Sequence, residues 1–512
     1  MYSASLLRPK AAAIMFLFSQ VLCVLPAFAE QTSGDISPVE TQKLIAIIEE
    51  QQRRLDAQQA QLSQQQEALQ LLRSQVEALQ AGAQPAVPAA HVEESPVGET
   101  VAATTAARDQ SETGGYDGLD KAVTAARQEW PGSFGLEGTD TRVKISGFAE
   151  FDIVHDTHDV LTPTAFLTQA IRTSGPGKDD GQTSFSIQAS RLSVETRTPL
   201  EGSTVDRPRE VKTVIAADFF NQLTSSTPEL RLREAYGEVS DFLFLGGDLL
   251  LGQTWSTYTN LYSIPSTLEF WGPNSIFGAR NPMARWTMPV GEGLKLKLAA
   301  EAANLRNFEK DNSYQIDSSD PTISVENRPI WPDGVIALEW QGHRINVTGG
   351  LIARDLRART DDGRNESAFG WGATFGGRLT MPGDLAQDFL QFQASYGEGI
   401  GSLFNDFPPD AVYDIATDEL KPIEMLGLLA GYQHWWSPKF YSLGSLGWIR
   451  QDNQGVQQPG AYKETGYSSI NITWVPDSRW LLGAEVVYGS RENKDGQSDS
   501  NIRTVVSGRF NF

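Results

Sequence analysis

Residues 142–153 have the sequence Arg-Val-Lys-Ile-Ser-Gly-Phe-Ala-Glu-Phe-Asp-Ile, and this stretch decides the fold class. Every second position from Val143 onward carries an apolar or small side chain, while the positions between are mostly polar. Because successive side chains of a β-strand point to opposite faces, this period of two predicts a strand with one apolar and one polar face. The same texture recurs at 294–298, 345–349, 470–474 and 502–512.

Alternating segments continue from Asp140 to the end of the chain, with no sustained helical period. A soluble β-sandwich also alternates, but it rarely needs so many segments of this length. Short connections alternate with long polar ones near 156–181, 304–331, 398–422 and 491–500, as in bacterial outer-membrane barrels. We therefore predict that residues 140–512 form an all-β domain, a 16-stranded antiparallel transmembrane β-barrel. Its strands are expected near 142–154, 183–198, 211–221, 230–239, 247–256, 282–290, 293–303, 333–341, 343–354, 368–381, 387–397, 424–436, 439–451, 462–475, 478–490 and 501–512.

Composition excludes several other classes of protein. The 512 residues include 42 Lys+Arg and 64 Asp+Glu, a formal charge of −22, which argues against a nucleic-acid partner. Mean hydropathy is −0.32, and no long apolar run follows the N-terminus, so a bundle of membrane helices is excluded. A membrane barrel remains compatible, because alternating strands average out in a hydropathy window.

The N-terminus has the order of a secretory signal peptide over residues 1–29. Arg8 and Lys10 precede an apolar stretch at 11–25 and a small-residue cleavage site, Ala27-Phe28-Ala29. The single cysteine, Cys23, follows Leu22 where a lipoprotein site would have a small residue, so lipidation is not expected. Cleavage removes two bases and no acid, which takes the formal charge from −22 to −24.

Residues 41–80 predict an oligomerising coiled coil in the periplasm. Ile48, Leu55, Leu62, Leu69 and Val76 occupy consecutive heptad a positions, whereas half of the d positions are glutamine. A single amphipathic helix lying on a surface is the alternative, and the heptads do not decide between dimer and trimer. Residues 81–139 are expected to be a flexible tether, in which 117–127 could form a short helix.

Aromatic residues and the last strand also favour an outer-membrane barrel. Aromatic side chains cluster towards strand ends, where amphipathic rings favour the membrane interface, at Trp340, Trp435, Trp436, Tyr441, Trp474, Trp480 and Tyr488. The chain ends on Phe512, with Phe510 in phase, which resembles the signal read by the barrel-assembly machinery. Sixteen strands leave a wide interior, so we expect a water-filled channel narrowed by an inserted loop.

Several sequence blocks resemble the DcaP-like family of trimeric outer-membrane porins. They are residues 138–148, 190–192, 230–237 and, most strongly, 252–258 (Gly-Gln-Thr-Trp-Ser-Thr-Tyr) followed by 265–270 and Gly272-Pro273. With the coiled coil, the resemblance covers about Thr41 to Phe512; the chain departs from the family at Phe148-Ala149-Glu150 and in its long tether. The resemblance implies a homotrimeric channel in the outer membrane of a Gram-negative bacterium, associated with uptake of dicarboxylic acids and similar small anions.

Strand parity predicts which cations face the channel. If the apolar face consists of Leu230, Leu232 and Tyr236, the side chains of Arg231 and Arg233 point inward. The same argument turns Lys295, Lys297, Arg191, Arg197 and Lys212 inward, and Arg280 and Arg285 lie where the predicted inserted loop returns to the wall. Guanidinium groups bind carboxylates bidentately. The alternative is that these cations pair with the inward acids Glu150, Asp152, Glu195 and Asp218.

No catalytic, cofactor or metal site is expected, and the protein is not predicted to be an enzyme. His155 and His158 have a spacing that metal ligands can have, but solvated side chains are the simpler interpretation. Asp179-Asp180 and Asp361-Asp362 could bind divalent ions together with lipopolysaccharide, or be ordinary loop charge. No Ser/His/Asp set and no phosphate-binding glycine loop can be proposed.

The function predicted from the sequence is a passive channel for small anions, most simply dicarboxylates or aromatic acids. A broad, weakly selective porin is one alternative. A structural protein, in which the coiled coil ties the outer membrane to peptidoglycan, is the other.

Overall fold

The computed structural model describes residues 130–175, 178–203, 209–220, 226–242, 246–303, 316–383 and 387–512. The predicted signal peptide, coiled coil and short helix at 117–127 lie outside the described residues, as does most of the tether. Among the described residues, no helix has the length and apolar character needed to cross a membrane.

The described residues form 22 strands, and alternation of side chains along the chain accounts for the long ones. In chain order they are β1 (Phe134–Gly135), β2 (Arg142–Asp156), β3 (Gln182–Ser186), β4 (Arg191–Pro199), β5 (Glu210–Asp218), β6 (Arg231–Val239), β7 (Asp248–Trp255), β8 (Arg280–Gly291), β9 (Leu294–Glu301), β10 (Ile316–Ser318), β11 (Val325–Asn327), β12 (Asp333–Gln341), β13 (Ile345–Thr360), β14 (Asn365–Thr380), β15 (Phe389–Glu398), β16 (Ala411–Asp414), β17 (Glu419–Pro422), β18 (Glu424–Ser437), β19 (Phe440–Asp452), β20 (Tyr462–Asp477), β21 (Trp480–Asn493) and β22 (Ser498–Asn511).

Sixteen wall strands form one closed antiparallel barrel. They are β2, the pair β3 and β4, β5 to β9, β12 to β15 and β18 to β22. β3 and β4 act as one interrupted strand because both pair with β2, at Asp152↔Ser186 and Arg142↔Arg197. The wall closes where β2 pairs with β22, from Phe148↔Asn511 to Asp156↔Arg503. The predicted 16-stranded barrel is confirmed, and each predicted segment overlaps one wall strand.

The wall has the polarity of a membrane barrel. Along β12 the side chains of Ile336, Leu338 and Trp340 are exposed on the outside, whereas Asp333 and Glu339 are buried inside. A soluble sandwich would place apolar side chains inside and polar ones outside, so this arrangement rules it out. Apolar side chains facing outward and polar ones facing the interior are what a lipid environment demands.

The two ends of the barrel differ in the length of their connections. Turns at 292–293, 342–344, 438–439 and 478–479 are short, while the connections at 157–181, 256–279 and 399–423 at the other end are long. Short turns are typical of the periplasmic side and long loops of the extracellular side. The long-loop end is therefore the extracellular end.

Residues 256–279, called the inserted loop below, fold into the barrel and attach to its far wall. The Gln391 amide on β15 donates to the carbonyl oxygens of Tyr262 (3.0 Å) and Ile264 (2.6 Å). On β20, Asn471 donates to the Ser266 carbonyl (3.2 Å). These bonds satisfy backbone groups that burial would otherwise leave unpaired. They fix the loop across the interior.

Two more extracellular connections pack against the inserted loop. Thr168, in 157–181, donates to Asp406, in 399–423 (2.8 Å). Phe277 of the inserted loop contacts Phe404, with ring centroids 4.9 Å apart. Above them β10, β16 and β17 form a separate three-stranded sheet around buried Tyr413. The core of the domain therefore lies inside the barrel, between the loops and one side of the wall.

Candidate permeation path

Inward cations gather mainly on β4 to β9. The middle of the inserted loop is held by β15, β20 and β21, while its first residues bond to the basic wall itself, where the Thr257 N–H donates to Glu301 on β9 (2.7 Å). Strand pairing places these cations on the interior face together with buried side chains such as Val214 and Ala337. The path through the barrel therefore runs between an anchored loop and a basic wall.

Four arginines converge near the extracellular ends of the strands that carry this wall. They are Arg191, Arg231, Arg233 and Arg280, called the arginine cluster below, and they lie close enough to repel one another. Asp218 binds two of them: Arg231 through Nε (2.8 Å) and Nη2 (2.6 Å), and Arg233 through Nη1 (2.6 Å). Glu234 also lies near Arg191, and four guanidinium groups against these two carboxylates leave an excess of positive charge.

Arg191 and Arg280 form no ion pair with any residue that the structure describes. Their Nε atoms, and that of Arg233, are buried and have no hydrogen-bond acceptor in the described part of the chain. Buried donors without an acceptor are costly, so a bound anion would gain from meeting them. Arg280 is only 4% exposed, so its side chain is packed among neighbouring groups at this level.

Aromatic rings line the arginine cluster. The Arg280 guanidinium lies 4.7 Å from the ring centre of Trp255, and that of Arg191 lies 5.3 Å from Phe148. Phe220 and Phe270 stack on each other with centroids 4.0 Å apart. Rings at these distances attract guanidinium groups through their π faces and fix their planes without consuming N–H donors.

A second set of cations, the lower basic group, lies nearer the periplasmic end. It consists of Arg285 on β8 with Lys295 and Lys297 on β9. Lys297 is paired with Glu339 (2.7 Å), whereas Arg285 and Lys295 have no ion-pair partner among the described residues. Arg280 and Arg285 are five residues apart on β8, about 17 Å at the usual rise, so the two sets lie at different levels of the barrel.

The remaining predicted cations are closely partnered. Arg197 contacts Glu195 (2.8 Å) and also lies 4.5 Å from the Trp130 ring centre. Lys212 lies 5.6 Å from the ring centre of Tyr236. These two positions contribute less free positive charge than the arginine cluster.

The structure differs from the parity assignment at Tyr236. A β-bulge interrupts the pairing of β5 with β6: Ala216 faces Glu234, but the next residue faces Leu232, so Arg233 is the extra residue. Both arginines lie inside, as predicted, but beyond the bulge the parity reverses and Tyr236 also faces inward, opposite Val214. A bulge shifts all later residues by one position, which a fixed period cannot anticipate.

Ion pairing accounts for part of the predicted set. Asp218 forms ion pairs with two arginines. Glu195 pairs with Arg197, and Glu150 pairs with Arg509 on β22. Arg509 is not among the residues predicted from the sequence, although it is out of phase with outward Phe510 and satisfies the same parity test. Arg378 on β14, which lies 5.8 Å from the ring centre of Tyr262, is not among them either.

The structure gives the weaker candidates for ion binding unrelated partners. His155 contacts Thr183 (2.9 Å) and His158 contacts the Ser500 carbonyl (2.8 Å), so the two rings have unrelated partners. Asp362 is held by Arg364 (2.6 Å). Among the described residues, no group of three His, Cys, Asp or Glu side chains could hold a metal ion.

Comparison with known proteins places this barrel among outer-membrane channels. The sequence model of the DcaP outer membrane protein family matches residues 116–512. The crystal structure of the outer membrane channel DcaP of Acinetobacter baumannii is 19% identical, covering 74% of this chain and 99% of that one, with a TM-score of 0.60. An anion-selective porin from Comamonas acidovorans is 11% identical, covering 73% of this chain and 100% of that one, with a TM-score of 0.47. No curated protein sequence matches the chain.

Proposed function

The chain belongs to the DcaP outer membrane protein family, and on that premise we propose that it forms a trimeric, passive channel for small anions, chiefly dicarboxylates or aromatic acids. Family membership establishes an outer-membrane channel rather than an enzyme. The sign of the preferred charge, the class of solute and the trimer are the proposal.

The observation that carries the proposal is the arginine cluster. Four guanidinium groups lie around Asp218, which binds two of them, in a partly aromatic part of the interior. Charges of one sign, held between low-dielectric walls, attract counter-ions strongly and raise their local concentration. The unpartnered donors of Arg191 and Arg280 have the fork geometry that binds carboxylate.

The two basic levels and the aromatic rings support the proposed class of solute. Two unpaired guanidiniums at the upper level can each take one carboxylate of a diacid, and the lower basic group can receive it next. Trp255 and Phe270, which are only partly buried, offer flat apolar surfaces to an aromatic acid. Several weak sites in series allow passage without trapping.

The trimer rests on the resemblance to a trimeric family and on the coiled coil predicted at 41–80. Lipopolysaccharide around the barrel, the assembly machinery at Phe512 and peptidoglycan at the coiled coil are the further partners of this proposal. The proposal includes the periplasmic location that the sequence predicts for this coiled coil.

A weakly selective porin is the second candidate, and the ion pairs favour it. Glu150, Glu195 and Glu339 neutralise Arg509, Arg197 and Lys297 respectively. If these pairs dominate, the lumen contains compensated charge and discriminates little.

Reversal potentials separate the two candidates. The full chain is inserted into planar bilayers, and the zero-current potential is measured under a tenfold salt gradient, first with chloride and then with succinate or benzoate. We expect the potential to have the sign of anion preference. Equal permeability supports the weakly selective porin, and cation preference overturns both the anion proposal and the role of the arginine cluster.

A further inference from the structure

Three arginines cluster on the membrane-facing side of the barrel at its extracellular rim. They are Arg357 and Arg359 on β13 and Arg328 just after β11, called the outer-rim patch below. Ile352, Arg354, Leu356 and Ala358 are buried inside, so the odd-numbered positions between and beyond them lie on the outer face. Along that face Leu351 is 57% exposed, which suits lipid, whereas the last three outward positions are charged.

Neighbouring aromatic side chains give the depth of this patch in the membrane. On β14, Phe369 lies opposite Asp355 and is 66% exposed; Trp371, opposite Ala353, packs edge to face on Tyr396. Exposed aromatic rings mark the headgroup level of a bilayer. Arg357 and Arg359 lie two and four residues beyond Asp355, about 7 and 14 Å along the strand. They therefore lie just outside the aromatic level, where lipid phosphates are found.

The nearby carboxylates do not neutralise all of the positive charge of the outer-rim patch. Asp355 accepts the backbone N–H groups of Ile330 (2.9 Å) and Trp331 (3.3 Å) through one oxygen, and Arg357 approaches that oxygen only to 3.8 Å. Arg328 pairs with Glu326 (2.7 Å).

Arg359 is exposed and has no ion pair with any described residue. The three arginines outnumber the carboxylates of Asp355 and Glu326, and the Arg359 guanidinium is open to a ligand.

Apolar side chains next to the patch point into the same environment. Ile330 and Trp331 are 64% and 69% exposed, and their backbone is fixed by Asp355 directly beside the arginines. A basic group above exposed apolar side chains matches a lipid that carries phosphate at its head and hydrocarbon below it.

We infer that the outer-rim patch binds the phosphate groups of lipopolysaccharide in the outer leaflet. Arg357, Arg359 and Arg328 bind the phosphate, because guanidinium and phosphate form paired, charge-assisted hydrogen bonds. Trp331, Ile330 and Phe369 contact the acyl chains below. The inference rests on outer-membrane placement and on the general lipid partner proposed above, and it is independent of the anion preference of the channel.

The test uses full-length protein purified from outer membranes, as the natural chain and as Arg357→Gln/Arg359→Gln. Lipopolysaccharide retained per chain is quantified after detergent exchange. Loss of two charges near the surface predicts roughly a 30-fold lower affinity. Arg479→Gln is the matched control, because Arg479 is an exposed arginine in a periplasmic turn, which outer-leaflet lipid does not reach. Heat-modifiable migration on gels and conductance establish that each variant is folded.

A second measurement identifies the group that is recognised. Thermal unfolding of the purified natural chain is followed with added lipopolysaccharide and with the same glycolipid stripped of phosphate. We expect stabilisation by the phosphorylated form only, and Arg359→Gln alone should reduce it. Unchanged lipid retention in the double variant overturns the inference, as does equal stabilisation by the stripped glycolipid. Loss of oligomers with lipid retained would instead assign the patch to contact between copies of this chain.

Discussion

Asp218 binds Arg231 through two parallel hydrogen bonds, of 2.8 Å to Nε and 2.6 Å to Nη2, and its second oxygen also receives Arg233 at 2.6 Å. This carboxylate is therefore the group that lets several guanidiniums lie side by side. Its removal would leave buried like charges without compensation, and such losses are among the costliest single substitutions.

Asp218→Asn is expected to destabilise the barrel and, in the fraction that folds, to increase anion preference. Breaking a buried pair costs about 3 kcal/mol. Urea unfolding from lipid vesicles measures the first effect, and the reversal potential measures the second. Asp248→Asn, at the periplasmic start of β7 on the same interior face, is the comparison variant and should change both quantities less. An unaltered unfolding free energy in Asp218→Asn would contradict the structural role given to this pair.

Arg280→Gln should lower the ratio of anion to cation permeability. Removing one charge about 5 Å from a passing anion in water-like surroundings corresponds to about 0.8 kcal/mol, or about fourfold. Arg197→Gln makes the same change in net charge, but Arg197 is already held by Glu195. The two variants are compared by reversal potential under one salt gradient. Equal effects would mean that total charge, and not the arginine cluster, determines selectivity.

Glu485→Ala should loosen the inserted loop. The Glu485 carboxylate accepts the backbone N–H groups of Leu268 and Glu269, the latter at 2.8 Å. Intramolecular hydrogen bonds of this kind contribute about 0.5–1.5 kcal/mol each. Single-channel recordings should therefore give a larger and noisier conductance. Glu485→Gln keeps an acceptor oxygen and should resemble the natural channel; a quiet, unchanged conductance in Glu485→Ala would show that the other anchors suffice.

The small extracellular sheet should lose stability in acid. The Lys421 ammonium donates to Asp414 (2.6 Å) and lowers the pKa of that carboxyl to about 2, below the ordinary value of 3.8. Because the folded form holds the proton less tightly, the stabilisation is complete above pH 3.8 and is lost as the pH falls towards 2.

Cleavage of residues 399–423 by pepsin, followed between pH 4 and pH 2, measures this loss. Asp414→Asn should be cleaved at a rate that varies less with pH, after correction for the pH dependence of pepsin on an unfolded substrate. Glu419→Gln, which removes the more distant and more exposed partner of Lys421, serves as the control. A natural chain with no extra acid sensitivity would contradict the assignment.

Local sequence patterns predicted the strands of the wall well, because the alternation that defines each strand lies within that strand. The strand expected at 333–341 is observed as Asp333–Gln341, since alternation against lipid is a property of each strand alone. Tyr236 was misplaced because the bulge is a property of two paired strands. The partnership of Glu150 with Arg509 joins residues 359 positions apart, and no spacing rule reports such a contact. An inserted loop was expected from the width of a 16-stranded barrel, but its anchors, such as the hydrogen bond from Asn274 to Thr465, depend on the closed barrel.

The pairing of β2 with β22 has a consequence for assembly. Gly147 and Phe512 exchange two backbone hydrogen bonds, of 3.0 and 3.1 Å, so this seam joins the first wall strand to the last residues of the chain. The ring of hydrogen bonds cannot be completed until the last strand arrives. Every earlier intermediate has two unpaired edges lined with apolar side chains, which invite aggregation. The topology therefore calls for a chaperone that shields these edges during transit. It also calls for a catalyst that holds both edges until they pair.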